Sequence, residues 1–419
     1  MKAHKLEGVL LFIILLLPLM PYMSSMTQVV VLFFELILLM SIFSLLIKNK
    51  FEFKFSKNEF FILCYIGSLS FVFIMSNFYN SVFTQAVLKP IEALEIIRFV
   101  FMASALIFFL IAVDNLSIDE VDYYLSRAVI VVSLFCFLFG FLSWLGLEPF
   151  LDISQRYASS DVYTTGYAQF RSFAIVGQPG KQGIFSAILI FISIHQIFFS
   201  KYKYLYLLSI ILVFPSLVVT FSRISIIFLI LYVIFLNVLM KKRSLTIFTG
   251  IVVFIMLCVT YYYFSERIME NFARGIDLSE GKISTLGHRM VLKLWALDFV
   301  SSDWFRFMFG TGTPKEWIGE FQNPYAFDLS LRNPDSSQTV WFIRYGIVGM
   351  TMNYIFYFIV LIKSWRNIPL KNNLGFVFPI LFILIVWSFL DPPFHEYKIM
   401  VYVMFFSALS FRIGPKIYE

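Results

Sequence analysis

Long apolar stretches separated by short polar breaks dominate the chain. They run near 6–23, 28–47, 59–78, 93–113, 128–147, 176–199, 203–220, 222–240, 245–264, 338–362, 374–390 and 396–413. Most have the length, about 17–25 residues, that crosses a hydrocarbon core as a helix. The pattern predicts an all-α polytopic integral membrane protein with about 12 transmembrane helices in a single membrane domain. The opening segment imitates a secretory signal, with Lys2 and Lys5 ahead of an apolar run. It has no small-residue cleavage site and another apolar run follows at once, so it reads as the first span.

The connections fall into two alternating sets. One carries Lys48, Lys50, Lys54 and Lys57, then Lys201 and Lys203, then Lys241, Lys242 and Arg243. It continues with Lys363, Arg366 and Lys371 and ends with Arg412 and Lys416. The other set has no charge at Ser24–Thr27 and a single Lys89 after the third span. An excess of Lys and Arg marks cytoplasmic loops, so both termini are expected in the cytoplasm. One loop of the first set dissents, with Asp114, Asp119, Glu120 and Asp122 against Arg127, but acids count little in that rule.

Three outer connections are longer than a turn: 148–175, 265–337, and Asp391 to Glu396. The second is the large extracytoplasmic loop between helices nine and ten. Within it Leu286, Met290, Leu294 and Leu297 repeat at helical spacing beside Trp295. That stripe predicts a short amphipathic helix on the membrane surface or packed over the bundle. The two halves of the chain show no matching hydropathy, which argues against an inverted-repeat transporter.

Composition narrows the classes further. With 60% hydrophobic and 14% charged residues and 53 Phe, the chain is neither a soluble enzyme, a coiled coil nor a disordered polymer. Cys64, Cys136 and Cys258 sit inside apolar runs without CxxC spacing, so they read as small buried hydrophobes. The net charge of +7 belongs to the inner loops under this topology and implies no nucleic-acid partner.

The kind of cation differs between the sides. Ten of the sixteen basic residues assigned outside are Arg, whereas thirteen of the seventeen inside are Lys. Orientation alone does not require that split, and Arg offers a planar fork that grips phosphate in two places. Arg98, Arg223 and Arg344 fall inside or at the edge of spans, where an ionisable group is a functional candidate unless it snorkels to the headgroups. Glu35 on the second span is the candidate partner of Arg98, as a structural ion pair or as part of a substrate contact. The acid candidates are Asp335 and the Asp391, His395, Glu396 group. Asp335 is either a base or the N-cap of the helix that follows it. His288 reads as a surface histidine and His195 as a packed core residue. No nucleotide loop, HExxH, DxD pair or GxSxG is present, and no acidic metal cluster, so neither cofactor nor metal is expected.

Several segments together resemble the bacterial O-antigen and capsule polymerases and the O-antigen ligases. They are Arg171-Ser-Phe-Ala-Ile-Val-Gly-Gln-Pro-Gly180, Thr220-Phe-Ser-Arg223, Gly287-His-Arg289 with Trp295, Phe309-Gly-Thr-Gly-Thr313, and Asp335-Ser-Ser337 followed by Gly346 and Gly349. The likeness covers about 170–350 by motif and the first five helices by topology alone. It implies a GT-C-like, metal-independent glycosyltransferase bundle in the bacterial inner (plasma) membrane, with its site facing the periplasm or exterior. The substrates implied are undecaprenyl-diphosphate-linked glycans as donor and acceptor, with membrane lipids and a chain-length regulator as partners. Ligases of the family usually carry His where Asp335 stands, so the resemblance is nearer the polymerases, of Wzy type. By the same resemblance Arg289, Arg223 and Arg171 surround the diphosphate and Asp335 is the base, with His395 and Glu396 as rivals. Lys181 assists at the mouth of the sixth span. A ligase acting on lipid A core and, in a different class, a flippase of lipid-linked oligosaccharide are the alternatives.

Overall fold

The computed structural model describes residues 6–20, 27–48, 57–84, 95–155, 157, 171–240, 293–294, 296–312, 336–369, 371–389, 394 and 396–412, with isolated helical positions between 247 and 258. Among these residues the regular structure is helical throughout. The helices are α1 (Leu6–Leu15), α2 (Thr27–Lys48), α3 (Lys57–Thr84), α4 (Glu95–Asp114) and α5 (Ile118–Cys136). After them come α6 (Phe150–Gln155), α7 (Pro179–Phe199), α8 (Lys203–Val219), α9 (Arg223–Met240), α10 (Trp304–Phe309), α11 (Ser337–Asn367), α12 (Val377–Trp387) and α13 (Tyr397–Arg412). Every apolar stretch of the sequence except 245–264 coincides with one of them. That ninth stretch lies largely outside the described residues.

Among the described residues four segments are long and apolar enough to cross a membrane: Phe60–Tyr79, Ile118–Leu142, Pro179–Phe199 and Ser337–Asn367. The remaining long helices contribute shorter apolar segments. Several turn a row of large apolar side chains outward. Leu36, Met40, Phe43 and Ile47 do so on α2, Phe71, Ile74 and Phe78 on α3, and Ile227, Leu231, Ile234 and Val238 on α9. Faces of this extent are not left against water by soluble monomers. In contrast α7 is buried nearly all round and is the axis of the bundle, consistent with a sequence apolar on every side. It packs along α8, with α5 and α9 beside it, and α13 packs on α4 and α11.

Side-chain and backbone contacts define two ends. At one, Ser172 N–H donates to Val219 O (2.8 Å), Ser337 N–H to Ser388 O (3.1 Å), and Lys398 to Met20 O (2.7 Å). At the other, Lys48 pairs with Glu7 (2.6 Å), Ser200 with Asp122 (2.6 Å), and Asn367 with Ser410 O (3.0 Å). These groups match the two sets into which charge divides the connections.

Three local expectations change. The fifth helix starts at Ile118 and not near 128. Ser117 and Glu120 form a capping box, with Glu120 N–H donating to Ser117 Oγ (3.3 Å) and Ser117 N–H to Glu120 Oε2 (2.8 Å). The acids that dissented from the charge rule are therefore helical, and Asp122 is fully buried. The N-cap of α11 is Ser336, whose hydroxyl accepts from Thr339 N–H (3.2 Å), so the capping role weighed for Asp335 is filled by its neighbour. In the large loop the stripe residues Leu294 and Leu297 face outward, while Ala296, Phe299 and Val300 pack against Ile343. At Leu294 and Leu297 the stripe is thus the outer face, and Ala296, Phe299 and Val300 form the packed one.

Candidate functional site

The segment 171–183 is an irregular entry to α7, built by local turns. Ala174 and Gly177 have positive φ (35° and 83°), and Gly177 N–H donates to Phe173 O (2.9 Å). Gln182 reaches back to accept from Val176 N–H (3.1 Å), and Pro179 opens the helix where its missing N–H has no consequence. Against this segment lies the turn from α8 to α9, with Phe221 at φ 51°. Arg171 ties the two. Its Nε donates to Thr220 O (2.8 Å) and a terminal nitrogen to Phe221 O (3.4 Å). A cation at the carbonyl end of α8 also complements that helix's dipole. Past the turn, the Ser222 and Ser225 hydroxyls bond each other (2.6 Å), and Ser225 N–H donates to Ser222 Oγ (3.4 Å).

The start of α13 closes this end from the other side. Lys181 Nζ pairs with Glu396 Oε2 at 3.0 Å, the lysine 23% exposed and the carboxylate 5%. Lys398, fully buried, donates to Met20 O (2.7 Å) and to Ile175 O, and lies over the Tyr157 ring (4.9 Å). Tyr157 donates to the adjacent Leu19 O (2.5 Å). Burial, and then the Cys136 thiol, push the Tyr157 hydroxyl up to about 12, so it remains a donor at neutral pH. A buried ammonium is tolerable only when its protons are taken up. Here they bind together the turn after α1, the 171–178 segment and α13.

A second joint lies beside it, where α11 is broken at Gly346 (φ 61°). The freed carbonyls accept from the Gly-Thr-Gly segment. Thr311 N–H and hydroxyl donate to Ile343 O (2.7 and 3.0 Å), and Gly312 N–H donates to Arg344 O (3.1 Å). Ser76 of α3 donates to Gly310 O (2.8 Å). A Cβ on Gly310 or Gly346 would strike backbone of the opposite segment, so both glycines are required by the close approach. The stretch between α12 and α13 borders both joints: Ser388 O holds Ser337, the Phe394 ring stacks on Trp341 (5.6 Å), and Glu396 holds Lys181.

The structure thus brings Arg171, Lys181 and Glu396 to one end, together with the backbone of Arg223 as the first residue of α9. Arg344 is half-buried at the second joint. Glu35, buried on α2, accepts from Ser104 of α4 (2.7 Å), and its other oxygen has no hydrogen-bond partner among the described residues. The side chains of Arg98 and Arg223 lie outside the described residues, as do Arg289, Asp335 and His395, so the expected Glu35–Arg98 pair falls there too. His195 is buried and stacked on Phe199 (4.6 Å), as a core residue. Sequence reading passed over Lys398. Its signal was the one used for the arginines, an ionisable group inside an apolar stretch. Groups of His, Cys, Asp and Glu able to hold a metal ion do not occur among the described residues. Comparison of the chain with protein-family models and with curated proteins yields no match.

Proposed function

We propose that this protein is a membrane-embedded glycosyltransferase of about 12 spans and GT-C-like architecture that polymerises undecaprenyl-diphosphate-linked oligosaccharide repeats. The reaction takes place at the outer face of the plasma membrane. The observation that carries this reading is that segments bearing the family resemblance are bonded pairwise at one end of the bundle. Arg171 holds Thr220 and Phe221, and Thr311 with Gly312 holds the break of α11 at Ile343 and Arg344. Outward apolar faces on α2, α3 and α9 support a lipid environment.

In this reading the acceptor hydroxyl attacks the anomeric carbon of the growing glycan. The bond to the lipid diphosphate breaks, and the lipid diphosphate departs with the electron pair. A diphosphate needs cation stabilisation more than a proton, and arginines in a partly dry site supply it. Arg289 and Arg223 serve the diphosphate. Arg171, with its bonds to Thr220 and Phe221 carbonyls, acts by positioning the turn that leads into Arg223. Asp335 takes the hydroxyl proton. Glu396, paired with Lys181, is better suited to holding the 171–183 segment than to serving as the base.

The test supplies purified protein with undecaprenyl-diphosphate repeat units and looks for a ladder of longer glycans. Arg289→Ala is expected to abolish the ladder with the melting temperature unchanged, and Arg289→Lys to restore little of it because the fork is lost. Absence of any ladder, with single repeats trapped on the cytoplasmic leaflet in cells lacking the protein, would instead identify a flippase.

A further inference from the structure

At the Asp122 end of the bundle, opposite the proposed catalytic site, a groove of about 380 Å³ opens between α11 and α12. Its floor is apolar: Leu361, Ile362 and Trp365 from the last turns of α11 and Phe378 from the first turn of α12. The Trp365 and Phe378 rings meet at 4.7 Å, and Trp365 remains half exposed. One charged residue lines the groove, the exposed Arg366. Its charge is not neutralised locally in sequence, since Ser337 to Phe389 contains no Asp or Glu, and neither α9 nor α13 packed alongside carries one; α3, which also packs on α11, carries Glu59 near its start. Lys363, one turn back on α11, lies over the Phe411 ring (5.5 Å), and Lys371 follows in the same connection.

An apolar trough ending in a cation, with an indole at its rim, matches one class of molecule in two respects. Acyl chain complements the floor, and an anionic headgroup complements the guanidinium, which binds phosphate through two N–H groups. Trp sits at headgroup level, Arg snorkels to it, and basic pockets between spanning helices bind anionic lipid heads on the cytoplasmic side. The geometry points to a binding site for an anionic phospholipid of the cytoplasmic leaflet, with its phosphate on Arg366 and a chain along Trp365 and Phe378. This inference rests on the membrane reading above but not on the glycosyl-transfer chemistry.

The experiment places the full chain in nanodiscs of equal phosphatidylglycerol and phosphatidylcholine and weighs the lipids retained by native mass spectrometry. Wild type is expected to retain phosphatidylglycerol preferentially. Arg366→Ala should reduce the preference about fivefold, the worth of one cation near a charged headgroup. Arg366→Lys should keep only part of it, because the charge stays but the two-point fork is lost, and Trp365→Ala should lower retention of both lipids. Equal retention in wild type, or a preference unchanged in Arg366→Ala, overturns the site. Two further outcomes also overturn it: loss of the preference on adding millimolar inorganic phosphate, which would mark a free-anion site, and a dimer abolished by Arg366→Ala, which would mark a second copy as the occupant. A chain that fails to enter the nanodisc bilayer refutes the membrane reading itself, a result separable from the others.

Discussion

Lys398 and Asp122 are both fully buried charges, placed at opposite ends of the same bundle. Asp122 is closed in by neutral donors from regular structure: Ser200 Oγ on one oxygen (2.6 Å), Tyr206 hydroxyl (2.9 Å) and Gln196 Nε2 (3.4 Å) on the other. All three belong to the hairpin of α7 and α8, so the carboxylate fastens α5 to two helix ends. Lys398 instead grips backbone carbonyls of irregular segments, with the half-open Lys181–Glu396 pair next to it. The first arrangement fixes helices that are already rigid. The second fixes irregular segments, which Arg171 and Gln182 also hold. One buried charge orders irregular backbone, and the other ties regular elements.

The largest effect is expected from Asp122→Ala, which leaves two hydroxyls and an amide without their acceptor. Each buried donor left unsatisfied costs about 1–3 kcal/mol, read as a lowered unfolding temperature in detergent. The protein that remains folded should retain its activity. Next is Lys398→Met, which strands the carbonyls of Met20 and Ile175 at about 1–3 kcal/mol each. Here glycan elongation per folded molecule should fall well beyond the loss of stability. If both variants lower activity only in proportion to the folded fraction, the distinction between the two charges fails.

Gly183→Ala sharpens the comparison from a neutral direction. A Cβ there meets the Ser222 and Ser225 side chains, so it pushes α7 from the start of α9. Overpacking of this kind costs about 1–3 kcal/mol, and elongation should decrease with it because the turn before Arg223 moves. The smallest effect belongs to Lys201, exposed and paired with Asp119 at 2.9 Å. The hydrogen bond to Asp119 holds its ammonium above the usual lysine value. The pair is therefore intact at neutral pH and loosens only as pH rises through that raised value. Lys201→Met should leave the melting curve unmoved at pH 7, as exposed pairs do.

Much of the fold is legible without coordinates, because a spanning helix is written in consecutive residues. The start of α5 was hidden because Asp119, Glu120 and Asp122 look like loop residues until the capping box of Ser117 and the burial of Asp122 are seen. Of the candidate site, Arg171, Lys181 and Glu396 stand out as types and lie at one end of the bundle, but the partner of each is not legible in the sequence. Arg171 bonds carbonyls, and a carbonyl has no sequence signature. Glu35 accepts from the hydroxyl of Ser104, which polarity along the chain does not distinguish from many other serines; its expected pairing with Arg98 lies outside the described residues.

The helical class and the supply of arginines are read from the chain alone, since each depends on composition within a stretch or loop. Only the tertiary structure decided which charges meet. Lys398 and Ile175 are 223 positions apart, and Asp122 and Ser200 are 78 apart. A hydrogen bond acts over about 3 Å, so such partners are chosen by how helices pack and where their ends fall. Neither is encoded in any local pattern.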